Sequence, residues 1–212
     1  MQQLFQRTLG NGCQQRMRLP VLAQVWRRLA HVVPQEVRIG PDCPPVHGIS
    51  QAAELAGIWS PVGVNQRWRV VCYPYKGHFG PHRDGDYVPS KHERSFLTIN
   101  GYLSAVPAGY GGATRFLSDE QPLHKDDRGR LAPLPGTVLH EVLPDVAGKS
   151  VLFWHGLMHD GQPLADGCPA PKWLYRSEVM YRRDPGTAPV EHEWTAIQAA
   201  ARKLVAEVAT FL

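Results

Sequence analysis

The sequence predicts a mostly β fold, a β-sandwich or barrel flanked by helices. Three observations carry this. The chain of 212 residues contains Gly 20 and Pro 19, a turn density that suits short strands and not a helical bundle. Segments 67–73, 94–104, 113–118, 137–143, 150–154 and 172–183 are rich in β-branched and aromatic residues and are separated by turn signals. Helical periodicity is confined to the two ends. The length suits one core, so a single domain over 1–212 is expected.

Taken in order, "LPVLAQVWRRLAHVVP" (19–34) places Val21, Leu22, Val25, Leu29 and Val32 three to four residues apart. Pro20 suits a first turn and Pro34 stops the pattern, so this is an amphipathic packing helix with its arginines in water. Residues 35–66 carry Pro41, Pro44, Pro45, Gly48, Pro61 and Gly63 and read as irregular. "RWRVVCY" opens the strands. Gly111–Gly112 turns the chain before "ATRFLS", and "PDVAGK" separates "TVLHEVL" from "SVLFW". "KWLYRSEVMYRR" is the last strand, and "WTAIQAAARKLVAEVATF" (194–211) has the composition of a closing helix. The expected organisation is N-terminal helical support over 1–66, a strand core over 67–183 and a C-terminal helix within 184–212.

Net charge is +4 at pH 7. That permits an acidic ligand but is not the dense basic patch of a nucleic-acid binder. Cys13, Cys43, Cys72 and Cys168 form no CxxC pair, so free thiols in a reducing compartment are expected. No apolar run reaches membrane-spanning length, and no secretory segment follows Met1. The first 35 residues carry arginine and no acid, as transit peptides do, but lack their serines. A cytoplasmic or nuclear location is expected, with a mitochondrial one left open.

The chemistry concentrates in "HFGPHRDGDY" (78–87). On a strand, His82 and Asp84 point to the same face and can chelate one ion. A second histidine would complete the two-histidine, one-carboxylate set of non-haem Fe(II) sites. "SVLFWHGLMHDGQP" offers His155 and His159. A closed, cysteine-rich structural zinc site does not fit these residue types.

"RWRVVCYPYKGHFGPHRDG", "RSFLTINGYL", "GYGGATRFL", "FWHGLMHDGQPLADG" and "KWLYRSEVMYRR" occur in this order. Together they resemble the Fe(II)/2-oxoglutarate-dependent dioxygenases, in the prolyl-4-hydroxylase-like branch, over about residues 67–183. The resemblance implies a double-stranded β-helix core (jelly-roll, cupin-like). It implies Fe(II), 2-oxoglutarate as co-substrate and O₂, with ascorbate in a supporting role. The family's H-x-G-x-P pattern fits His159 to Pro163 and not His155, so the implied metal and catalytic set is His82, Asp84 and His159.

The far carboxylate of 2-oxoglutarate needs a cation, best a planar one. Lys172, Arg176 and Arg182 share a face of the last strand. The resemblance gives two registers. A "G…KW" pairing nominates Lys172, although "CPAP" (168–171) lengthens the usual gap. The spacing from His159 to Arg176 resembles the nucleic-acid-demethylase branch, which favours Arg176, with Arg182 nearer the metal and Glu178 orienting the cation. Tyr102 in "GYL" and Tyr73 in "YPYKGHF" are the implied pocket phenols. "GGATRF" resembles the family's GGxTxF and is assigned to turn geometry, with no catalytic role for Thr114 or Phe116.

The implied reaction is hydroxylation of a substrate C–H coupled to oxidative decarboxylation of 2-oxoglutarate. The expected substrate is a prolyl or other side chain of an intracellular protein. Loops 85–93 and 119–136 lie where a substrate lid would form. Oxidation of a nucleic acid or a small molecule by the same centre, and a non-catalytic binding module, are the alternatives. Neither a membrane nor secreted collagen-type substrates are expected.

Overall fold

The computed structural model describes residues 12–40, 55–119, 124–126, 129–134 and 136–188. The expected C-terminal helix (194–211) lies outside them, as does 41–54. The elements are β1 (Gly12–Arg16), α1 (Leu19–Leu29), β2 (Val37–Ile39), β3 (Gly57–Val64), β4 (Arg67–Tyr73), β5 (Phe79–His82), β6 (Glu93–Tyr102), β7 (Thr114–Leu117), β8 (His124–Lys125), β9 (Leu131–Ala132), β10 (Val138–Val142), β11 (Ser150–Trp154), β12 (His159–Gly161) and β13 (Lys172–Arg183).

From β4 onward all strands but β8 and β9, which pair with each other, belong to two antiparallel sheets. β4, β13, β6 and β11 are hydrogen-bonded neighbours in the larger sheet; β5, β12, β7 and β10 form the smaller one. This is the double-stranded β-helix, with its interior between the sheets. β1 extends the larger sheet beyond β4, and β3 with β2 flanks the outer half of β13.

The irregular reading of 35–66 is corrected by β2 and β3. Pro61 and Gly63 lie inside β3, where they hide the strand from propensity. The register against β13 shifts between Met180 and Tyr181, and such a bulge tolerates a proline and a glycine with φ of 141°. The N-terminal helix stops at Leu29, short of Pro34. Gln35 Nε2 donates to the carbonyls of Ala30 and Val33, both at 2.7 Å, and stabilises the non-helical exit. Leu22 is buried and Val25, Trp26 and Leu29 pack beside it, whereas Val21 and Val32 of the expected stripe face solvent.

Two cores result. One lies on the outer face of the larger sheet, under α1, with Trp59, Phe96, Ile99, Val179 and Tyr181. There Phe96 meets the Trp59 and Tyr181 rings edge-on at 5.3 and 5.2 Å, a favoured aromatic geometry. The other is inside the barrel, built on Tyr73, Tyr102 and Leu174. No helix of the described residues is long and apolar enough to cross a membrane.

Gly101 marks where the sheet tolerates no side chain. A Cβ there would lie 2.1 Å from Tyr175 Cε1, and that ring cannot move freely because it stacks on Trp68 at 4.4 Å. Gly101→Ala is expected to destabilise the fold by about 1–3 kcal/mol or more through overpacking, read as a lower thermal midpoint. An unchanged midpoint would show that the stack can yield.

Candidate metal centre and its pocket

The smaller sheet brings two histidines face to face. His82 ends β5, His159 opens β12, and they are direct cross-strand partners with ring centroids 4.2 Å apart. Asp84 lies two residues beyond β5, where its backbone N–H donates to the His155 carbonyl at 3.0 Å. That bond ties the loop to the end of β11.

Backbone carbonyls set both ring tautomers. His82 Nδ1 lies 2.8 Å from Gly80 O, and His159 Nδ1 lies 2.9 Å from Leu157 O. A carbonyl only accepts, so each Nδ1 carries the proton and each Nε2 keeps its lone pair. The two Nε2 atoms face the Asp84 carboxylate, 3.6 Å from Oδ1 and 3.7 Å from Oδ2. One ligand atom from each residue lies within 4.8 Å of the others. Two neutral imidazoles and a carboxylate, oriented by outer hydrogen bonds, fit a divalent first-row metal with open positions.

The electrostatics agree with that role. Burial, reinforced by neighbouring His82, draws the His159 imidazole down to about 4, so it is neutral near pH 7. Burial opposes ionisation of Asp84, but His82, Arg176, His159 and Thr98 outweigh it and hold the carboxyl well below the usual range.

His155 is no ligand in this geometry. Thr98 Oγ1 donates its one proton to Asp84 Oδ2 at 2.5 Å. The 2.8 Å contact between Thr98 Oγ1 and His155 Nδ1 must therefore be donated by the imidazole. His155 Nε2 then accepts from Ser95 Oγ at 2.8 Å. His155 is wholly buried and drawn down to about 4 by that burial, as a neutral ring should be. The sequence places it next to the metal set, and the fold puts it behind Asp84 as the end of an orienting chain.

Lys172 lies on the same face of β13 as Arg176. It is 1 % exposed and donates from Nζ to Gly112 O at 2.8 Å. The ammonium also sits 4.5 Å from the Tyr73 ring centroid. No carboxylate pairs with it among the described residues, and burial lowers its pKa to about 8. Tyr73 is buried beside it, its phenol pushed up to about 12 by that burial. Tyr102 is also buried, with its hydroxyl 2.8 Å from Thr114 Oγ1 and 3.1 Å from Val142 O.

Arg176 stands further out on the same face, and its guanidinium meets Asp84 Oδ1 at 2.8 Å. Arg176 Nε and the Oδ1 of its cross-strand partner Asn100 are buried without hydrogen-bond partners. Orphaned groups of this kind cost about 1–3 kcal/mol each, a cost that a polar ligand in the barrel interior would relieve. Arg182 does not reach the triad. It is largely exposed and pairs with Glu93 at 3.2 Å, because six residues of extended strand carry it about 20 Å beyond Arg176. Glu178 holds Asn65 Nδ2 at 2.6 Å.

The GGATRF segment does more than turn the chain. Gly112, at φ 78° with no room for a Cβ against Leu164, offers its carbonyl to Lys172. Thr114 meets Tyr102, and Arg115 grips Asp160 from Nε at 2.8 Å and from the terminal nitrogen at 2.5 Å. Thr98 and Asn100 carried no signal in the sequence beyond their even spacing with Tyr102 on β6.

No protein-family model matches the chain, and no curated protein matches it. Among solved structures, one similar in fold is the viral collagen prolyl hydroxylase of Paramecium bursaria Chlorella virus-1, solved as its 2OG complex. It has a TM-score of 0.44 and 13% identity, over 83% of this chain and 81% of that one. A prolyl-4-hydroxylase of Pseudomonas putida aligns with a TM-score of 0.38 and 18% identity, over 85% and 92%. A cupin domain from Bordetella pertussis aligns with a TM-score of 0.27 and 13% identity, over 57% and 92%. The roles of individual residues are argued from this chain alone.

Proposed function

We propose that the chain is an Fe(II)- and 2-oxoglutarate-dependent dioxygenase that hydroxylates a substrate C–H bond. The observation that carries this is the His82–Asp84–His159 set together with the buried Lys172 ammonium, which no carboxylate pairs among the described residues and which shares a face of β13 with Arg176, the partner of Asp84. Iron held by the triad supplies the redox chemistry that couples oxidative decarboxylation of 2-oxoglutarate to the hydroxylation.

The chain's own residues bind and orient. Lys172, not Arg176, is proposed to hold the far carboxylate, with Tyr73 and Tyr102 walling the pocket around it. Arg176 neutralises Asp84 and stands where the metal-proximal end of the co-substrate would lie. Thr98 and His155 fix the carboxylate, while the apolar inner core excludes water. A side chain of a protein, a prolyl ring first, is the proposed substrate.

Purified protein supplied with Fe(II), ascorbate and 2-oxoglutarate should form succinate, and cell extract treated with it should gain +16 Da products that the Asp84→Ala protein does not make. Absence of succinate under every condition would overturn this reading.

The Lys172 pKa gives a pH test. The ammonium is charged at pH 7, but in the empty pocket it loses its proton as pH rises through about 8. Above that point binding must take up a proton, so 2-oxoglutarate affinity should fall about ten-fold per pH unit. Calorimetric titration should show this slope in the wild type and a flat profile in Lys172→Arg. A flat wild-type profile would remove Lys172 from the carboxylate site.

A further inference from the structure

A groove of about 630 Å³ is lined by Arg16, Arg67, Tyr87, Glu93, Met180 and Arg182, among others. It continues the same face of β13 outward: Lys172, Leu174, Arg176 and Glu178 face the barrel interior, and Met180 and Arg182 carry that face into the groove. β4 does likewise, with Arg67 and Arg69 in line with Val71 and Tyr73. Asn65 links the two spaces, since it lines the groove and bonds Glu178.

The groove's charge is mostly positive. Arg182 is answered by Glu93, but no salt bridge pairs Arg16 or Arg67 with a carboxylate among the described residues. Arg16 is held by Gln66 at 2.9 Å, and Arg67 lies over the Tyr87 ring at 5.1 Å. Arg16 and Arg67 are direct cross-strand partners and both line the groove, so two positive side chains leave neighbouring backbone positions there. Beside them Gly63 leaves bare backbone with nothing within 4 Å of its would-be Cβ, as occurs where another backbone approaches closely.

Resting on the reading that the triad is a hydroxylating centre, we propose that this groove selects the substrate as an extended acidic peptide, its carboxylates on Arg16 and Arg67 and its target residue leading toward the His82–Asp84–His159 set. A peptide is favoured over a nucleic acid by two features. Tyr87, the aromatic ring in the groove, has Arg67 over it and offers less stacking face to a base. The bare Gly63 backbone suits an extended chain.

The test is fluorescence anisotropy on the full chain, with no turnover required, so it stands apart from the succinate assay. The probes are a labelled proline-centred peptide with flanking glutamates, the same peptide with glutamines, and a single-stranded oligonucleotide of equal length. The acidic peptide should bind at least about ten-fold tighter than the glutamine peptide, and added salt should weaken it. Arg67→Glu should remove that preference, and Arg28→Glu on the exposed face of α1 should leave it intact. Arg16→Glu serves if Arg67→Glu does not fold. Equal binding of the two peptides, or groove variants that behave like Arg28→Glu, would overturn the proposal. Tighter binding of the oligonucleotide would overturn it in favour of a nucleic-acid substrate.

Discussion

Asp84→Ala is expected to abolish succinate formation and to lower metal affinity by more than about 100-fold. Loss of an outer orienting partner alone costs about 10–100-fold, and this change removes a ligand. It also strips two donors of their acceptor, the Arg176 guanidinium at 2.8 Å and the Thr98 hydroxyl at 2.5 Å. A stability loss of about 1–3 kcal/mol should therefore accompany the loss of activity. Asp84→Asn separates the two effects. Its amide oxygen can still accept from either donor, so most of the stability should return without the metal affinity. Cobalt titration followed by visible absorption, with a thermal melt of the metal-free protein, reads both quantities. Wild-type cobalt affinity in Asp84→Ala would remove Asp84 from the site.

Lys172→Met should move stability and binding in opposite directions. The ammonium is 1 % exposed and pairs with no carboxylate among the described residues. Its folded pKa of about 8, below the ordinary 10.5, means the empty fold bears the cost of desolvating a charge. Methionine fills similar volume without that charge but gives up the bond to Gly112 O. Metal-free, ligand-free Lys172→Met should be more stable at pH 7 by about 1–3 kcal/mol and lose 2-oxoglutarate affinity by about 100-fold. The sign can be checked by pH. Between about 8 and 10.5 the unfolded wild type binds more protons than the folded one, so wild-type stability should rise with pH and the gap to Lys172→Met should close. If Lys172→Met is less stable and still binds 2-oxoglutarate, Lys172 is a packing residue.

β6 and β13 are legible in the sequence because the larger sheet buries both their faces, which makes near-continuous runs of β-branched and aromatic residues. β5 and β12 are not. They are four and three residues long, with the sequences FGPH and HDG, so Gly, Pro, His and Asp fill most of their positions and local propensity gives no strand signal there. His82 and Asp84 were visible through spacing alone. His159 could be separated from His155 only through the resemblance, because the difference is one of strand pairing. Lys172 and Arg176 stay alternatives in the sequence for a similar reason: alternation puts both on one face of the last strand.

The pairing of His82 with His159 also has a bearing on how the chain stays folded. The two belong to strands far apart in sequence, with β6 to β11 between them. A metal gripping both is a removable cross-link across that long loop. It binds the assembled sheet and finds no ready site in the random chain, so its whole binding free energy adds to the folded state. Chelation should then loosen the seam between β5 and β12 before the rest of the barrel, a change that amide exchange in those two strands would report.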